Sequence, residues 1–180
     1  MIAVTGIPVL ETERLILRAP EPRDAEAAIG FMTSERSQYV GGPLPRDKAW
    51  RLFAVEVAHW VLRGYGMWAV TLKGDDRCVG FVGCWCPDGW PERELGWSVL
   101  VEAEGKGIAY EAALEARRYA YDTLGWTTAV SYIDKPNQRS IRLAQRLGAV
   151  LDETAAYPGQ DAAAEPCFVY RHPSPTELVP

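Results

Sequence analysis

Leu15 and Leu17 alternate with Arg14, Ile16 and Arg18, and this two-residue period predicts a strand over residues 10–19, closed by Pro20 and Pro22. Asp24 stands where an N-cap belongs, ahead of a short helix over 25–31. Gly41-Gly42-Pro43-Leu44-Pro45 breaks the pattern. After it, Ala49, Trp50, Phe53, Val57 and Val61 recur at helical spacing up to Gly64. Three strands follow over 67–73, 78–86 and 93–101. The turn Gly74-Asp75-Asp76 joins the first two, and a loop at 87–91 leads to the third. Ile108, Ala112, Ala116, Ala120 and Leu124 mark a helix from 107 to 124, stopped by Gly125. The β-branched and aromatic run 127–133 reads as a strand. Asp134-Lys135-Pro136 ends it, Asn137 caps a helix to Leu147, and Gly148 takes the place of a C′ glycine. Residues 149–156 and 167–171 are the last two strands. The link 159–165 is small and polar, a mobile loop by composition, and the proline-bearing tail after His172 is expected to fray.

The order is therefore β-α-α-β-β-β-α-β-α-β-β, with no internal repeat and no dividing linker. A helix between the fourth strand (93–101) and the fifth (127–133) favours a parallel pair there, while tight turns favour antiparallel neighbours elsewhere. The expectation is an α/β domain over residues 1–172 and a tail over 173–180. Its mixed, mostly antiparallel sheet would have about seven strands, with four helices on both faces.

The 180 residues are 48% apolar and 24% charged, the balance of an ordinary globular chain able to bury a core. A net charge of −5 argues against sequence-independent nucleic-acid binding, which needs a basic surface. It is compatible with a cationic amine as substrate. No apolar run approaches about 20 residues and no signal peptide is evident, so no membrane partner is expected and the default location is the cytoplasm. Cys78, Cys84, Cys86 and Cys167 form no Cys-x-x-Cys pair, and only His59 and His172 could complete a metal site. They read as reduced thiols, and no metal is expected.

The chemistry centres on Glu104-Gly105-Lys106-Gly107-Ile108-Ala109-Tyr110-Glu111, which lies between a strand and the first turn of a helix. Such a loop frees backbone N–H groups at the positive end of a helix dipole, and glycine lets a ligand approach. Phosphate is the preferred ligand. No Gly-Lys-Ser/Thr closes the loop, and position 110 is Tyr rather than the third glycine of a dinucleotide fingerprint. From these residues alone an ordinary tight turn is an equal reading.

Three segments carry a resemblance to a known family: Thr12-Glu13-Arg14-Leu15-Ile16-Leu17-Arg18; the loop Glu104 to Ala112; and Asn137-Gln138-Arg139-Ser140 followed by Leu147-Gly148-Ala149. In this order they resemble the GCN5-related N-acetyltransferase (GNAT) superfamily, in its RimJ/RimL-like ribosomal-protein-alanine acetyltransferase branch, over roughly residues 11–171. The resemblance implies a GNAT-like sheet whose fourth and fifth strands splay to admit acetyl-CoA. It implies that Gly105, Lys106, Gly107, Ile108 and Ala109 give N–H groups to the pyrophosphate. The backbone of Trp97, Ser98, Val99 and Leu100, with Asn137, would hold the pantetheine arm. Ser140 would be the general acid toward the thiolate. Arg142, in a stripe with Arg139 and Arg146, reads either as a solvated face or as contact with the 3′-phosphate. Glu104 departs from the family's Gln or Arg, and is expected to turn to solvent or to pair with Lys106 or another cation.

Glu92 and Glu94 are the candidate bases, Glu94 preferred, each also readable as a surface ion pair. Glu111 in the first turn reads as structural, complementing the dipole. Trp50, Tyr65, Trp68, Trp85 and Trp90 read either as packing or as walls of an acceptor pocket. The implied reaction is acetyl transfer to a primary amine by direct attack in a ternary complex. The acceptor is either a protein N-terminus or a small amine, and a homodimer is compatible. The other open reading is a CoA-binding sensor or interaction module without turnover.

Overall fold

The computed structural model describes residues 5–159 and 167–178. The first strand is a hairpin rather than one run: β1 (Leu10–Glu11) turns back antiparallel on β2 (Leu15–Arg18), pairing Leu10 with Leu17. The turn has no glycine. The Thr12 hydroxyl makes it, accepting from the Leu15 N–H at 3.0 Å while the Thr12 N–H bonds the Leu15 carbonyl. Helices α1 (Ala25–Met32) and α2 (Arg46–Arg63) follow, then β3 (Met67–Leu72), β4 (Asp75–Trp85) and β5 (Glu94–Val99). Helix α3 (Ile108–Asp122), β6 (Val130–Asp134), α4 (Gln138–Arg146), β7 (Val150–Leu151) and β8 (Cys167–Arg171) complete the chain. Among the described residues the sheet has eight strands in the order β1-β2-β3-β4-β5-β6-β8-β7, one more than expected because the first strand divides. Of their pairings, only β5–β6 is parallel. The link 159–165 lies, beyond Gly159, outside the described residues.

The two faces carry different helices. Ala112, Ala113, Ala116 and Ala120 of α3, each 0–1% exposed, bring that helix close against Leu15, Leu17, Trp68, Val70, Val82 and Leu95. On the same face Ile141 and Ala144 of α4 meet Ile133 and Tyr170. The opposite face holds Met67, Ala69 and Phe81 under Ala28 of α1 and Phe53 of α2. Full burial of the larger of these side chains, such as Leu15, Met67 and Phe81, contributes roughly 1.5–3 kcal/mol each. Asp24 does not cap α1 through its side chain. Its carboxylate instead takes both guanidinium nitrogens of Arg18, at 2.7 and 2.8 Å, and the Glu21 N–H at 2.8 Å. A fork of charge-assisted bonds outcompetes the single cap bond. Beyond His172, Pro175–Glu177 form a 3-10 turn with both halves of a capping box, and Pro173 accepts from the Tyr121 hydroxyl. These bonds tie the described part of the segment expected to fray.

The β5–β6 pair makes one ladder contact, Glu94 with Val130, and then parts. The Val130 N–H reaches the Arg93 carbonyl at 3.0 Å. A regular parallel ladder would next join the Tyr132 N–H to the Leu95 carbonyl. Here the Ser131 hydroxyl donates to Leu95 O at 2.6 Å instead, and the Tyr132 N–H favours the ionised form of the Glu94 carboxylate. The split opens from that point.

Candidate active site

Above the split, Val101–Ala103 turn the chain and Gly105 and Gly107 carry it into α3. Their φ angles, +72° and +78°, are left-handed, where glycine alone is unstrained, and nothing lies within 4 Å of where a Cβ on Gly105 would stand. The helix begins with Glu111 N–H to Gly107 O at 3.1 Å. The first-turn N–H groups of Ile108, Ala109 and Tyr110 therefore have no helical carbonyl to meet. The loop is clamped from below. Arg14 gives Nη1 to Lys106 O at 3.1 Å and Nε to Glu111 at 2.7 Å, and Thr12 adds its hydroxyl to the same carboxylate. Burial alone would raise the pKa of Glu111, but these bonds outweigh it and hold it below the usual value. Glu111 thus anchors helix to hairpin.

A groove of about 1270 Å³ runs from this loop, between β5 and α4, to the segment linking α1 and α2. Gly105, Gly107, Ile108 and Ala109 line it, as do Trp97, Ser98, Val99, Asn137, Ser140 and Arg142. Lys106 turns away, its ammonium on Glu102 O at 2.6 Å. Leu100 is also spent on the sheet, giving its N–H to Val79 O at 2.9 Å. By strand alternation the main-chain groups of Ser98 share that direction, and those of Trp97 and Val99 point into the split. Four nominated strand residues thus reduce to two with backbone groups toward the slot.

Asn137 caps α4, its Oδ1 accepting from Ser140 N–H at 3.2 Å. The Trp97 indole N–H donates to Ser140 Oγ at 3.2 Å. A hydroxyl has one proton, so this bond leaves it free to face the groove. Arg139, Arg142 and Arg146 share one side of α4 and all line the groove. Arg146 lies over the Tyr110 ring, 4.5 Å from its centroid.

Glu104 pairs with other cations rather than with Lys106. One carboxylate oxygen meets Arg139 at 2.7 Å and the other meets Arg36, from the segment between α1 and α2. Arg36 stands 68 positions before Glu104, a separation that no local sequence pattern spans.

The two candidate bases differ. Glu92 is held by both guanidinium nitrogens of Arg171 at 2.8 Å, and Asp152 takes the same arginine from another side. Glu94 has no cation. Burial pushes its pKa up to about 7, against the Trp90 indole N–H at 2.7 Å and the Tyr132 N–H, which favour the ionised form. Neither glutamate lines the groove. Of the five large rings, Trp68 is fully buried in the core, with its N–H on Pro8 O. Tyr65 packs edge-on against His59 and Trp126, and Trp50 is exposed on α2. Only Trp85 and Trp90 stand near Glu94, Trp85 stacked on His59 and Trp90 bonded to the carboxylate. Among the described residues no cluster of three or more His, Cys, Asp or Glu could hold a metal.

An anion nest at a helix mouth, beside a slot that exposes strand backbone and the Ser140 hydroxyl, suits a long phosphate-bearing thioester. Comparison with known proteins agrees. Residues 14–150 match the acetyltransferase (GNAT) domain family. The chain belongs to that family, and it is an N-acetyltransferase. It is 36% identical to an acetyltransferase from Agrobacterium tumefaciens whose crystal structure superposes with a TM-score of 0.86, covering 96% of this chain and 98% of that one. It is 26% identical to the N-acetyltransferase YoaA of Bacillus subtilis over 145 residues, 78% of this chain and 82% of YoaA. RimL, a ribosomal-protein α-N-acetyltransferase solved in complex with coenzyme A, shares the fold at 17% identity and a TM-score of 0.66, over 92% of this chain and 96% of that one.

Proposed function

We propose that this protein transfers an acetyl group from acetyl-CoA to a primary amine, by direct attack within a ternary complex. The acceptor is either a protein N-terminus or a small amine. The observation that carries the reading is one continuous groove containing the helix mouth, β5 beyond the point where it parts from β6, and the Ser140 hydroxyl. Bound acetyl-CoA supplies an activated thioester. The N–H groups from Gly105 to Ala109 hold its diphosphate, the slot-facing backbone of Trp97 and Val99 with Asn137 orients the arm, and Arg142 meets the 3′-phosphate. Glu94, or Glu92 in its place, takes the amine proton through a water. As the C–N bond forms and the C–S bond breaks, Ser140 gives its proton to the departing sulfur, oriented by the Trp97 indole. The reading places the protein in the cytoplasm, supported by its four free cysteines.

The test is CoA release, followed with a thiol reagent, over a panel of amines and N-terminal peptides. Turnover with at least one class of amine is the expected result. Tight acetyl-CoA binding with no release for any amine would replace this reading by that of a CoA-binding sensor.

A further inference from the structure

Glu104 is a carboxylate placed one residue before an anion nest, where it should repel the ligand the nest is built for. Its two oxygens are occupied by arginines from opposite walls of the groove, Arg36 and Arg139. Neither arm is sealed in: the side chains of Glu104, Arg36 and Arg139 are 31%, 37% and 74% exposed, so water can support an exchange of partners. Arg36 is presented by a packed turn. Ser37 beside it is fully buried, its one hydroxyl proton shared between Ser34 O at 2.7 Å and Met32 O at 3.1 Å, and a Cβ on Gly42 would collide with that hydroxyl. The turn therefore holds the backbone of Arg36 at the groove edge. Lys106, the cation within the loop itself, is committed to Glu102 O.

We propose that Arg36 joins Arg139 as a ligand of the cofactor's diphosphate, and that Glu104 is an internal counterion which holds both guanidinium groups in the free protein and is displaced when the diphosphate binds. Two planar forks match a doubly charged diphosphate better than they match one carboxylate. The exchange also ties the α1–α2 segment to cofactor binding.

The inference rests on the groove taking acyl-CoA. The test is calorimetric binding of CoA and of dephospho-CoA, which keeps the diphosphate and lacks the 3′-phosphate. Glu104→Gln should tighten both by about three- to tenfold, the effect of removing one like charge at a partly wet site. Arg36→Gln and Arg139→Gln should each loosen both by about fivefold or more, with Arg36→Lys between wild type and Arg36→Gln. Melting curves confirm that the variants fold. Glu104→Gln binding unchanged or weaker would overturn the proposal. So would arginine effects that vanish with dephospho-CoA, because the arginines would then serve the 3′-phosphate. Failure of the wild type to bind CoA would refute the groove's reading instead.

Discussion

Removing the charge of Glu94 tests the chemistry and its physical basis together. Its carboxyl is pushed from 4.5 up to about 7 by burial, and two donors, the Trp90 indole and the Tyr132 N–H, limit the rise. As the base, it should give kcat/KM an acid limb near pH 7. Glu94→Gln should abolish that limb and lower kcat/KM at high pH by roughly 10²–10⁴-fold. Trp90→Phe deletes one hydrogen bond to a charged acceptor, worth about 1.5–3 kcal/mol, so the limb should move up by about one to two pH units. Stability moves the other way. The folded-state value exceeds the unfolded one, so the group's contribution is full below 4.5 and is lost as pH rises through about 7. The difference of 7 − 4.5 = 2.5 units sets a ceiling of about 3 kcal/mol, and partial exposure reduces it to ~1–2 kcal/mol. Glu94→Gln should therefore be less active yet more stable than wild type at pH 8, by urea denaturation, and equal to it at pH 4. A limb near 4.5, or a Gln variant as active as wild type from pH 6 to 9, would refute the reasoning.

Ser140→Ala should lower kcat by roughly 10–100-fold with little change in the KM for acetyl-CoA. Trp97→Phe should lower kcat less, and should add nothing on top of Ser140→Ala, a non-additivity that steady-state kinetics can measure. Asp24→Asn breaks a pair whose side chains are 12% and 2% exposed, and should cost about 3–5 kcal/mol in urea denaturation. Gly107→Ala, at a φ of +78°, should cost about 1–2 kcal/mol by thermal melting and weaken CoA binding in calorimetry.

Periodicity made most of the fold legible. The alternation at Leu15 and Leu17 and the alanine stripe of α3 sit on buried faces as their spacing requires. Asn137 was readable as a cap because capping is local: its acceptor and the N–H it serves lie three residues apart. The β1–β2 hairpin was not readable, since its turn uses a threonine hydroxyl instead of the Gly or Asn that usually signals reversal. Asp24 stands at the N-cap position as expected, but its side chain is spent elsewhere for a related reason. The helix start offered it a local role, while Arg18 and its better geometry came from the neighbouring strand. In the candidate site, the glycine loop and Asn137-x-x-Ser140 were visible as motifs. The partners that define their electrostatics, Arg36 for Glu104 and Trp97 for Ser140, are tertiary contacts and leave no trace in spacing.

The split between β5 and β6 raises the question of what keeps two parallel strands from zipping shut. Opening a ladder bond inside a protein strands one donor and one acceptor, at about 1–3 kcal/mol for each left unsatisfied. At this bond the acceptor is not stranded: the Leu95 carbonyl takes the Ser131 hydroxyl. The Tyr132 N–H favours the ionised form of the Glu94 carboxylate. His172, buried and pushed down to about 3 by desolvation and by the nearby charge of Arg117, stays neutral and stands 3.0 Å from Ser131 Oγ. With that oxygen already donating its proton to Leu95, the His172 Nε2 must be the donor, which fixes the tautomer. The slot is therefore held open on its Leu95 side by Ser131, whose hydrogen bond replaces the one the backbone gives up and which His172 steadies. On the other side the Tyr132 N–H favours the charged form of Glu94, the base proposed above, so the opening of the sheet would also bear on the tuning of that group.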